Sequence, residues 1–291
     1  MTPERRRKLL LELDGSSLVL KRVPSMAEIF SGEAGIDDLM PVTPEDLLGR
    51  DPVPPVKSLM SARVTNKTIL ISGAGGSIGS ELCRQIAKYS PKEIILVDSS
   101  EFALYEITTE LADLRDKLSL DISLVSKLGT ISEQEVLNSI FNSSEIHTVF
   151  HAAAYKHVPL VESNIFSGIK NNIFGTKNIA DISARHGVNS FTLVSTDKAV
   201  RPTNVMGATK RIAELIIQGK ATEEVGTVFS IVRFGNVLGS SGSVIPRFKS
   251  QIKSGGPITV THENITRYFM TIPEAAELVI QSAGMATGGE V

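Results

Sequence analysis

From Lys67 onward, short apolar runs alternate with helical segments, and this alternation constrains the fold more than any other feature of the sequence. The apolar runs are TILISG, EIILVD, ISLVSKLG, TVFHAAA, SFTLVST and FSIVRFG. Helices are predicted after the glycine loop and at about 101–118, 131–142, 163–186 and 206–220. Short apolar strands with helical crossovers pair in parallel and are covered on both faces. The sequence therefore predicts an α/β fold with a Rossmann-like, doubly wound parallel sheet, whose ligands bind beyond the carboxyl ends of the strands.

The residues that precede this pattern are too few to form a core of their own. They contain a short basic helix, a strand-like SLVLKRVP and a polar piece that ends in TPEDLLGR. Three prolines in DPVPPVKS (51–58) then interrupt regular structure and mark a linker. We expect an extension from an upstream domain over 1–60, an NAD-binding domain over 61–235 and a small substrate-binding lobe over 236–291. Because SAGMATGGEV stops as a new strand begins, we expect the chain to be part of a longer protein.

Composition and charge describe an ordinary soluble protein. The 30 basic and 32 acidic residues are mixed along the chain and give a net charge of −2, so we expect no nucleic-acid partner. No apolar run approaches the roughly 18–20 residues that cross a bilayer. We therefore expect a cytoplasmic chain that meets a membrane only through segments it does not contain. The single cysteine, Cys83, excludes an internal disulfide and is expected to be a buried structural thiol, and no His, Cys or Asp spacing indicates a metal site.

A glycine-rich loop, SGAGGSIGSELC, follows the first predicted strand and opens a helix. Gly73, Gly76 and Gly79 have the spacing that permits a tight turn, close approach of backbone N–H groups to a pyrophosphate, and close packing of helix on strand. Ser77 and Ile78 complete the same loop. A purely structural turn is the alternative, but the strand–loop–helix context favours nucleotide binding.

Asp98 ends the second strand, 19 residues after Gly79, where a carboxylate can accept hydrogen bonds from a ribose diol. The same charge repels the 2′-phosphate of NADP, and the neighbouring Ser99 and Ser100 add no compensating positive charge. We therefore predict NAD as the cofactor, with NADP disfavoured. A solvated carboxylate at a strand end is the alternative interpretation.

Several further stretches form a specific pattern. They are HAAA after the fourth strand, AAYKHVPLVE, NNIFGT, STDKAVRPTNVMGATKR, RFGNVLGSSGSVIPRFKSQI and PITVTHENITRYFMTIPEA. From about residue 45 onward, the chain resembles the nucleotide-sugar 4,6-dehydratases of bacterial polysaccharide biosynthesis, extended short-chain dehydrogenases/reductases that act on UDP-N-acetylglucosamine. The resemblance is to their long, membrane-anchored branch, which implies a full-length protein at the cytoplasmic face of the bacterial inner membrane. It also places Ala152, Ala153 and Ala154 at the cofactor, and we further expect a homo-oligomer.

The resemblance implies a reaction in which NAD⁺ takes hydride from C4 of the sugar and returns it to C6 after water is eliminated. STDK supplies Asp197 and Lys198 at the carboxyl end of a strand. In the family, the matching aspartate is the acid that protonates the C6 hydroxyl, and the matching lysine is the base that removes the C5 proton. Asp197 must then be protonated and Lys198 neutral, which burial favours and the neighbouring opposite charge opposes. A surface Asp–Lys turn is the alternative.

Met206 stands four residues before Lys210, where short-chain dehydrogenases usually carry the tyrosine that exchanges the C4 hydroxyl proton. A thioether cannot transfer a proton, so Met206 marks the methionine-bearing branch or simply packs in the core. Lys210 is expected to bond the nicotinamide ribose. The C4 hydroxyl proton must leave through Thr196, through Ser195 or by water to Asp197. Thr196, the matching residue in the family, is preferred as the relay.

Four residues are assigned to the sugar nucleotide. Lys156 and His157 follow the fourth strand, and His157 either bonds a substrate oxygen or is structural. Asn236 matches an asparagine that contacts the UDP diphosphate in the family. Arg267 is a candidate for a bidentate phosphate contact, with a structural ion pair as the alternative. Thr130 stands where the family has an aspartate at the adenine, which predicts weaker cofactor binding.

Three functions follow from these residues. The leading hypothesis is an NAD-dependent 4,6-dehydratase, a lyase, acting on UDP-N-acetylglucosamine or a related UDP-hexosamine with C5 configuration retained. A UDP-hexosamine 4-epimerase would need no elimination pair, so Asp197 and Lys198 argue against it. A non-catalytic regulator that binds NAD or a nucleotide sugar is permitted by Met206, but the intact STDK and Lys210 argue against it.

Overall fold

The computed structural model describes residues 3–13, 20–24, 29, 35, 38–42, 48, 53–223, 226–240, 242–260, 262 and 267–291. The chain divides into two compact units, Met1–Val53 and Pro54–Val291, and the division falls inside the proline-rich DPVPPVKS. The first unit contains helix α1 (Pro3–Glu12) and an antiparallel pair of short strands, β1 (Lys21–Arg22) and β2 (Met40–Pro41). Residues 17–19 of the predicted strand SLVLKRVP, and nearly all of TPEDLLGR, lie outside the described residues.

Six strands of the second unit form one parallel sheet. They are β3 (Thr68–Ser72), β4 (Glu93–Asp98), β5 (Ser123–Leu128), β6 (Thr148–His151), β7 (Ser190–Thr196) and β8 (Val228–Phe234). Their order across the sheet is β5–β4–β3–β6–β7–β8, so the chain builds outward from β3 and then crosses back to build outward from β6. This doubly wound order confirms the predicted Rossmann-like fold, and its crevice lies at the carboxyl ends of β3 and β6.

Helices cover both faces of this sheet. In chain order they are α2 (Lys57–Ala62), α3 (Ser77–Ala87), α4 (Glu101–Leu118), α5 (Gln134–Ser143), α6 (Val158–Ser163), α7 (Ile165–Gly168), α8 (Thr176–Arg185), α9 (Val205–Ala221), α10 (Val244–Lys253) and α11 (Ile272–Met285). One core joins α2, α3, α4 and α11 to the sheet, and another joins α5, α8 and α9. Successive strand residues alternate between the two cores: Ile69 and Ile71 enter the first, and Leu70 enters the second. Both faces of each central strand are therefore buried, which explains the uninterrupted apolar runs.

Two smaller features complete the second unit. Strand β9 (Asn236–Val237) pairs in parallel with β10 (Phe269–Met270) just beyond the end of β8. The residues at 289–290 run beside the outer edge of β8, because the N–H of Gly289 donates to the carbonyl of Phe229 and the N–H of Ile231 donates to the carbonyl of Glu290.

Cys83 is fully buried in the first core, and burial raises the pKa of its thiol, as expected for a structural cysteine. None of the helices in the described ranges is long and apolar enough to span a bilayer.

The long helix predicted over 163–186 is interrupted. Helix α7 passes into a π-helix (Ile169–Gly175), which passes into α8. A π turn holds more residues than an α turn, so it shifts which side chains face the sheet, and such turns are frequent at functional sites. Here the π segment carries Asn172, a buried residue beside the carboxyl end of β6.

Candidate active site

A cavity of about 780 Å³ opens at the carboxyl-terminal edge of the sheet. Its walls come from the glycine loop after β3, the segment after β6, the end of β7, the start of α9 and the segment after β8. The predicted site residues that line it are Gly73, Gly76, Ser77, Ile78, Gly79, Ala152, Ala154, Lys156, His157, Thr196, Lys198, Met206, Lys210 and Asn236. A hollow of about 150 Å³ shares part of these walls and includes Asp98, Ser99 and Ala153. Asp197 and Arg267 line neither space.

The glycine loop forms a cradle that larger residues would fill. Gly73 has φ of +71°, and a Cβ on it would lie 2.7 Å from the backbone N and Cα of Ala153. A Cβ on Gly79 would lie only 1.9 Å from the carbonyl oxygen of Gly73, so α3 packs directly on the loop. Gly76 is the N-cap of α3, and no side chain caps this end of the helix. Gly76 and Ser77 both line the cavity, so the positive end of the helix dipole lies at the cavity wall. This arrangement fits a pyrophosphate.

Asp98 is fixed at the rim of the smaller hollow. Its Oδ2 accepts a hydrogen bond from the N–H of Gly75 at 2.9 Å, and its Oδ1 accepts one from the N–H of Ser100 at 2.9 Å. A carboxylate has further lone pairs, so it can still accept from a ribose diol. Thr130 lines the same hollow, but its hydroxyl is paired with the hydroxyl of Ser132 at 2.9 Å and serves the turn after β5.

Asn172, which the sequence analysis did not single out, fixes the chain after β6. Its Oδ1 accepts from the N–H of Tyr155 at 2.8 Å, and its Nδ2 donates to the carbonyl of Tyr155 and to Thr209 Oγ1, both at 3.0 Å. Both backbone groups of Tyr155 are thereby held, and so are its neighbours Ala154 and Lys156 in the cavity wall. The only sequence signal was the position of Asn172 inside NNIFGT.

The STDK residues surround the end of β7. Lys198 Nζ lies 3.0 Å from Asp197 Oδ1 and 3.2 Å from Asn236 Oδ1, so it bridges the ends of β7 and β8. Thr196 Oγ1 donates to the same Asp197 oxygen at 2.9 Å. Partial burial would raise the pKa of Asp197, but the hydrogen bonds from Lys198 and Thr196 prevail and lower it. Of the two opposing effects expected here, the neighbouring charge outweighs burial, and Asp197 is a carboxylate at neutral pH.

Met206 and Lys210 lie side by side on the cavity wall. Met206 is only 3% exposed, so it packs in the core and also faces the cavity. Lys210 is 5% exposed, and its Nζ donates to the carbonyl of Val194 at 2.8 Å. Desolvation lowers the pKa of Lys210 to about 8, against the opposing effect of Glu214 one helical turn away. Lys210 therefore carries its positive charge at neutral pH at a cost in stability.

We expect Lys210→Met to stabilise the fold relative to the parent protein by an amount that falls as the pH rises. The unfolded lysine has its ordinary pKa near 10.5 and the folded lysine a pKa of about 8, so the unfolded state binds more protons between these values. The parent protein therefore gains stability from pH 8 to pH 10.5, and the variant lacks this gain. Urea unfolding of both proteins at pH 7 and pH 10 measures the difference. A difference that does not change with pH would contradict the buried ammonium.

The four residues assigned to the sugar nucleotide divide into two groups. Lys156 and His157 are exposed at the cavity mouth, and partial desolvation lowers the pKa of Lys156. The His157 ring packs on the loop after β9, since a Cβ on Gly242 would lie 2.2 Å from His157 Cε1. Asn236 also lines the cavity and accepts from Lys198. Arg267 is exposed and does not line the cavity.

Glu214 is a second residue that the sequence analysis missed. Its fully buried carboxylate accepts from Ser195 Oγ at 2.6 Å and from Arg233 Nε and Nη2 at 2.8 and 2.5 Å. Arg211 Nη1 adds a contact at 3.0 Å. Burial would raise the pKa of Glu214, but these donors lower it on balance. Because the Ser195 hydroxyl donates to Glu214, Thr196 is the hydroxyl that remains beside Asp197.

The sequence of this chain is similar to those of several known proteins. The family model described as "Polysaccharide biosynthesis protein" matches residues 69–291. The capsular polysaccharide biosynthesis protein CapD of Staphylococcus aureus is 51% identical over 94% of the chain, which spans 45% of the length of that relative. A UDP-N-acetylglucosamine 4,6-dehydratase (inverting) of Campylobacter jejuni is 31% identical, over 77% of this chain and 66% of its own. A UDP-glucose 4-epimerase of Rickettsia rickettsii is also 31% identical, over 78% of this chain and 65% of its own.

Proposed function

This chain belongs to the polysaccharide biosynthesis protein family, and on that premise we propose that it carries an NAD-dependent 4,6-dehydratase activity on UDP-N-acetylglucosamine. The observation that supports this proposal most is the Asp197–Lys198 pair at the carboxyl end of β7, with Lys198 facing the cavity. Elimination across C5 and C6 needs an acid and a base within reach of adjacent carbon atoms. A carboxyl group that can donate a proton and a neighbouring amine that can accept one meet this need.

The cofactor assignment rests on the glycine cradle and on Asp98. Bound NAD⁺ would supply the hydride acceptor for C4 and the hydride donor for C6. The N-terminus of α3 would hold its pyrophosphate, and Asp98 would accept from its adenosine ribose and disfavour NADP. Lys210 would bond the nicotinamide ribose from the cavity wall.

The protons can be followed through Thr196, Asp197 and Lys198. The O4 proton passes through the Thr196 hydroxyl to the Asp197 carboxylate, which already accepts from that hydroxyl. Protonated Asp197 then donates to the departing C6 hydroxyl, so the released water carries the O4 proton. The Lys198 side chain is 36% exposed, so its ammonium can first release one proton to solvent water. The neutral amine then removes the C5 proton and later returns it, so Lys198 ends the cycle as it began the elimination. Return by the same group to the same face retains the configuration at C5.

The 4-epimerase is the strongest competing activity, because a relative with that name is as similar as the dehydratase. An epimerase oxidises and reduces C4 alone, so it needs a single proton route at O4 and no chemistry at C5. Asp197 and Lys198 together supply more than that reaction uses. A non-catalytic regulator that binds NAD could use Lys210, but it would not need the Thr196–Asp197 hydrogen bond.

Turnover in deuterated water separates these functions. The protein is incubated with UDP-N-acetylglucosamine and NAD⁺, and the products are followed by NMR and mass spectrometry. We expect loss of water, deuterium at C5, and coupling constants that report a retained configuration. An isomer of unchanged mass would establish an epimerase instead, and binding of NAD without any conversion would favour the regulator.

Met206→Ala should lower turnover less than about 10-fold, because its thioether moves no proton. The same variant should lower the free energy of unfolding, by about 2 kcal/mol, since a buried side chain is truncated at the cavity wall. Steady-state kinetics and urea unfolding measure the two effects, and Met206→Leu, which keeps the volume, serves as the control. A collapse of turnover in both variants would show that Met206 takes part in the reaction.

A further inference from the structure

The carboxylate of Glu214 joins the two strands that end at the proposed reacting groups. Ser195 on β7 and Arg233 on β8 are register partners, and both donate to this one carboxylate, which reaches them from α9. Arg211, on α9 itself, adds a donor but joins no strand. Three separate elements thus meet at one fully buried charge.

Lys198 depends on the same two strands a short distance further along. The next register pair above Ser195 and Arg233 is Thr196 with Phe234, after which both strands end. Asp197 follows β7 directly, and Asn236 lies two residues beyond β8. Lys198 Nζ contacts one oxygen from each side, at 3.0 Å and 3.2 Å. Lys198 Nζ therefore depends on groups carried by the ends of both strands.

We propose that Glu214 is a positioning residue, which holds the ends of β7 and β8 at the separation that places Lys198 between Asp197 and Asn236. This proposal rests on the proposed function where it concerns the C5 base. A displacement of about 1 Å at a reacting group can slow a step on the order of 100-fold. A carboxylate with donors on both strands resists such a displacement, because breaking either bond leaves a buried charge undersatisfied.

Arg233→Lys is the decisive variant, and Arg211→Lys is its matched control. Both keep a positive charge and remove a guanidinium from Glu214, but only Arg233 lies on β8. Neither variant removes the Glu214 carboxylate, so its electrostatic effect on Lys210, one helical turn away, is kept. Two partial reactions are measured: formation of NADH, which reports oxidation at C4, and exchange of the C5 proton in deuterated water. NAD affinity by calorimetry and the melting temperature accompany them.

In Arg233→Lys, we expect C5 exchange to slow about 10- to 100-fold while NADH formation and NAD affinity change less than about 3-fold. Arg211→Lys should leave all three near the parent values. A parallel fall of both partial reactions in Arg233→Lys, or an equal effect of Arg211→Lys, would overturn the positioning role. If Arg233→Lys does not fold, Glu214→Gln replaces it with the same expected slowing of C5 exchange.

A crystal structure of the variant tests the positioning role without turnover. Lys198 Nζ should lose its contact with Asp197 or with Asn236, and an unchanged Lys198 would overturn the proposal. Failure of the proposed function has a different signature, because the parent protein itself would then show no C5 exchange, whether or not it formed NADH. The position of Lys198 Nζ in the variant would still test the role of Glu214, whatever reaction the parent protein catalyses.

Discussion

Lys198→Met and Asp197→Asn should each reduce dehydration about 1,000-fold, and they should block different steps. Methionine cannot remove the C5 proton, so Lys198→Met should still oxidise C4 and should accumulate NADH without deuterium entering C5. Asparagine can neither receive the O4 proton from Thr196 nor protonate the departing C6 hydroxyl. Asp197→Asn should therefore slow C4 oxidation as well as elimination.

Single-turnover mixing with substrate separates these steps, with NADH absorbance for C4 and NMR for C5. Lys177→Met is a matched control, because Lys177 also pairs with a carboxylate, that of Asp181, at 2.5 Å and is 53% exposed. Loss of that surface pair should leave both rates unchanged. C5 exchange at the parent rate in Lys198→Met would remove Lys198 from the role of base and would weaken the dehydratase assignment.

The sheet was predictable because its signal is local. Ile69, Leu70 and Ile71 are all apolar since both faces of β3 are covered. The glycines that follow must permit close contacts of the loop with the segment after β6 and with helix α3. The helix over 163–186 was predicted without its π segment, because a stretch of helix-forming residues does not reveal where an extra residue enters a turn. Asn172 gains its role only from that local geometry.

The parts of the site that escaped prediction depend on contacts between distant residues. Glu214 lies 19 residues from both Ser195 and Arg233, and only the strand order brings these three together. The ionisation of Asp197 is a balance between burial and neighbouring donors, so its direction requires the distances to Lys198 and Thr196. Arg267 was chosen for its chemistry alone, and the structure leaves it outside the cavity wall.

Gly79→Ala should both destabilise the fold and abolish tight NAD binding. Its Cβ would lie 1.9 Å from the carbonyl oxygen and 2.7 Å from the carbonyl carbon of Gly73, both backbone atoms that no rotamer change can move. Helix α3 must then shift away from the loop. We expect a loss of about 2–3 kcal/mol in the free energy of unfolding, as for an overpacked core. The same shift moves the N-terminus of α3 from the position that would hold a pyrophosphate.

Gly219→Ala provides the matched control, because Gly219 also lies within a helix and a Cβ there would meet nothing within 4 Å. Alanine is the better helix former, so this variant should gain about 0.5–1 kcal/mol and bind NAD as the parent does. Urea unfolding and calorimetry with NAD measure both effects. If Gly79→Ala kept the parent affinity, the close contact of α3 with the loop would not be what forms the cofactor cradle. The shape of the cradle would then have to depend on Gly73, where a side chain is strained for an independent reason, its φ of +71°.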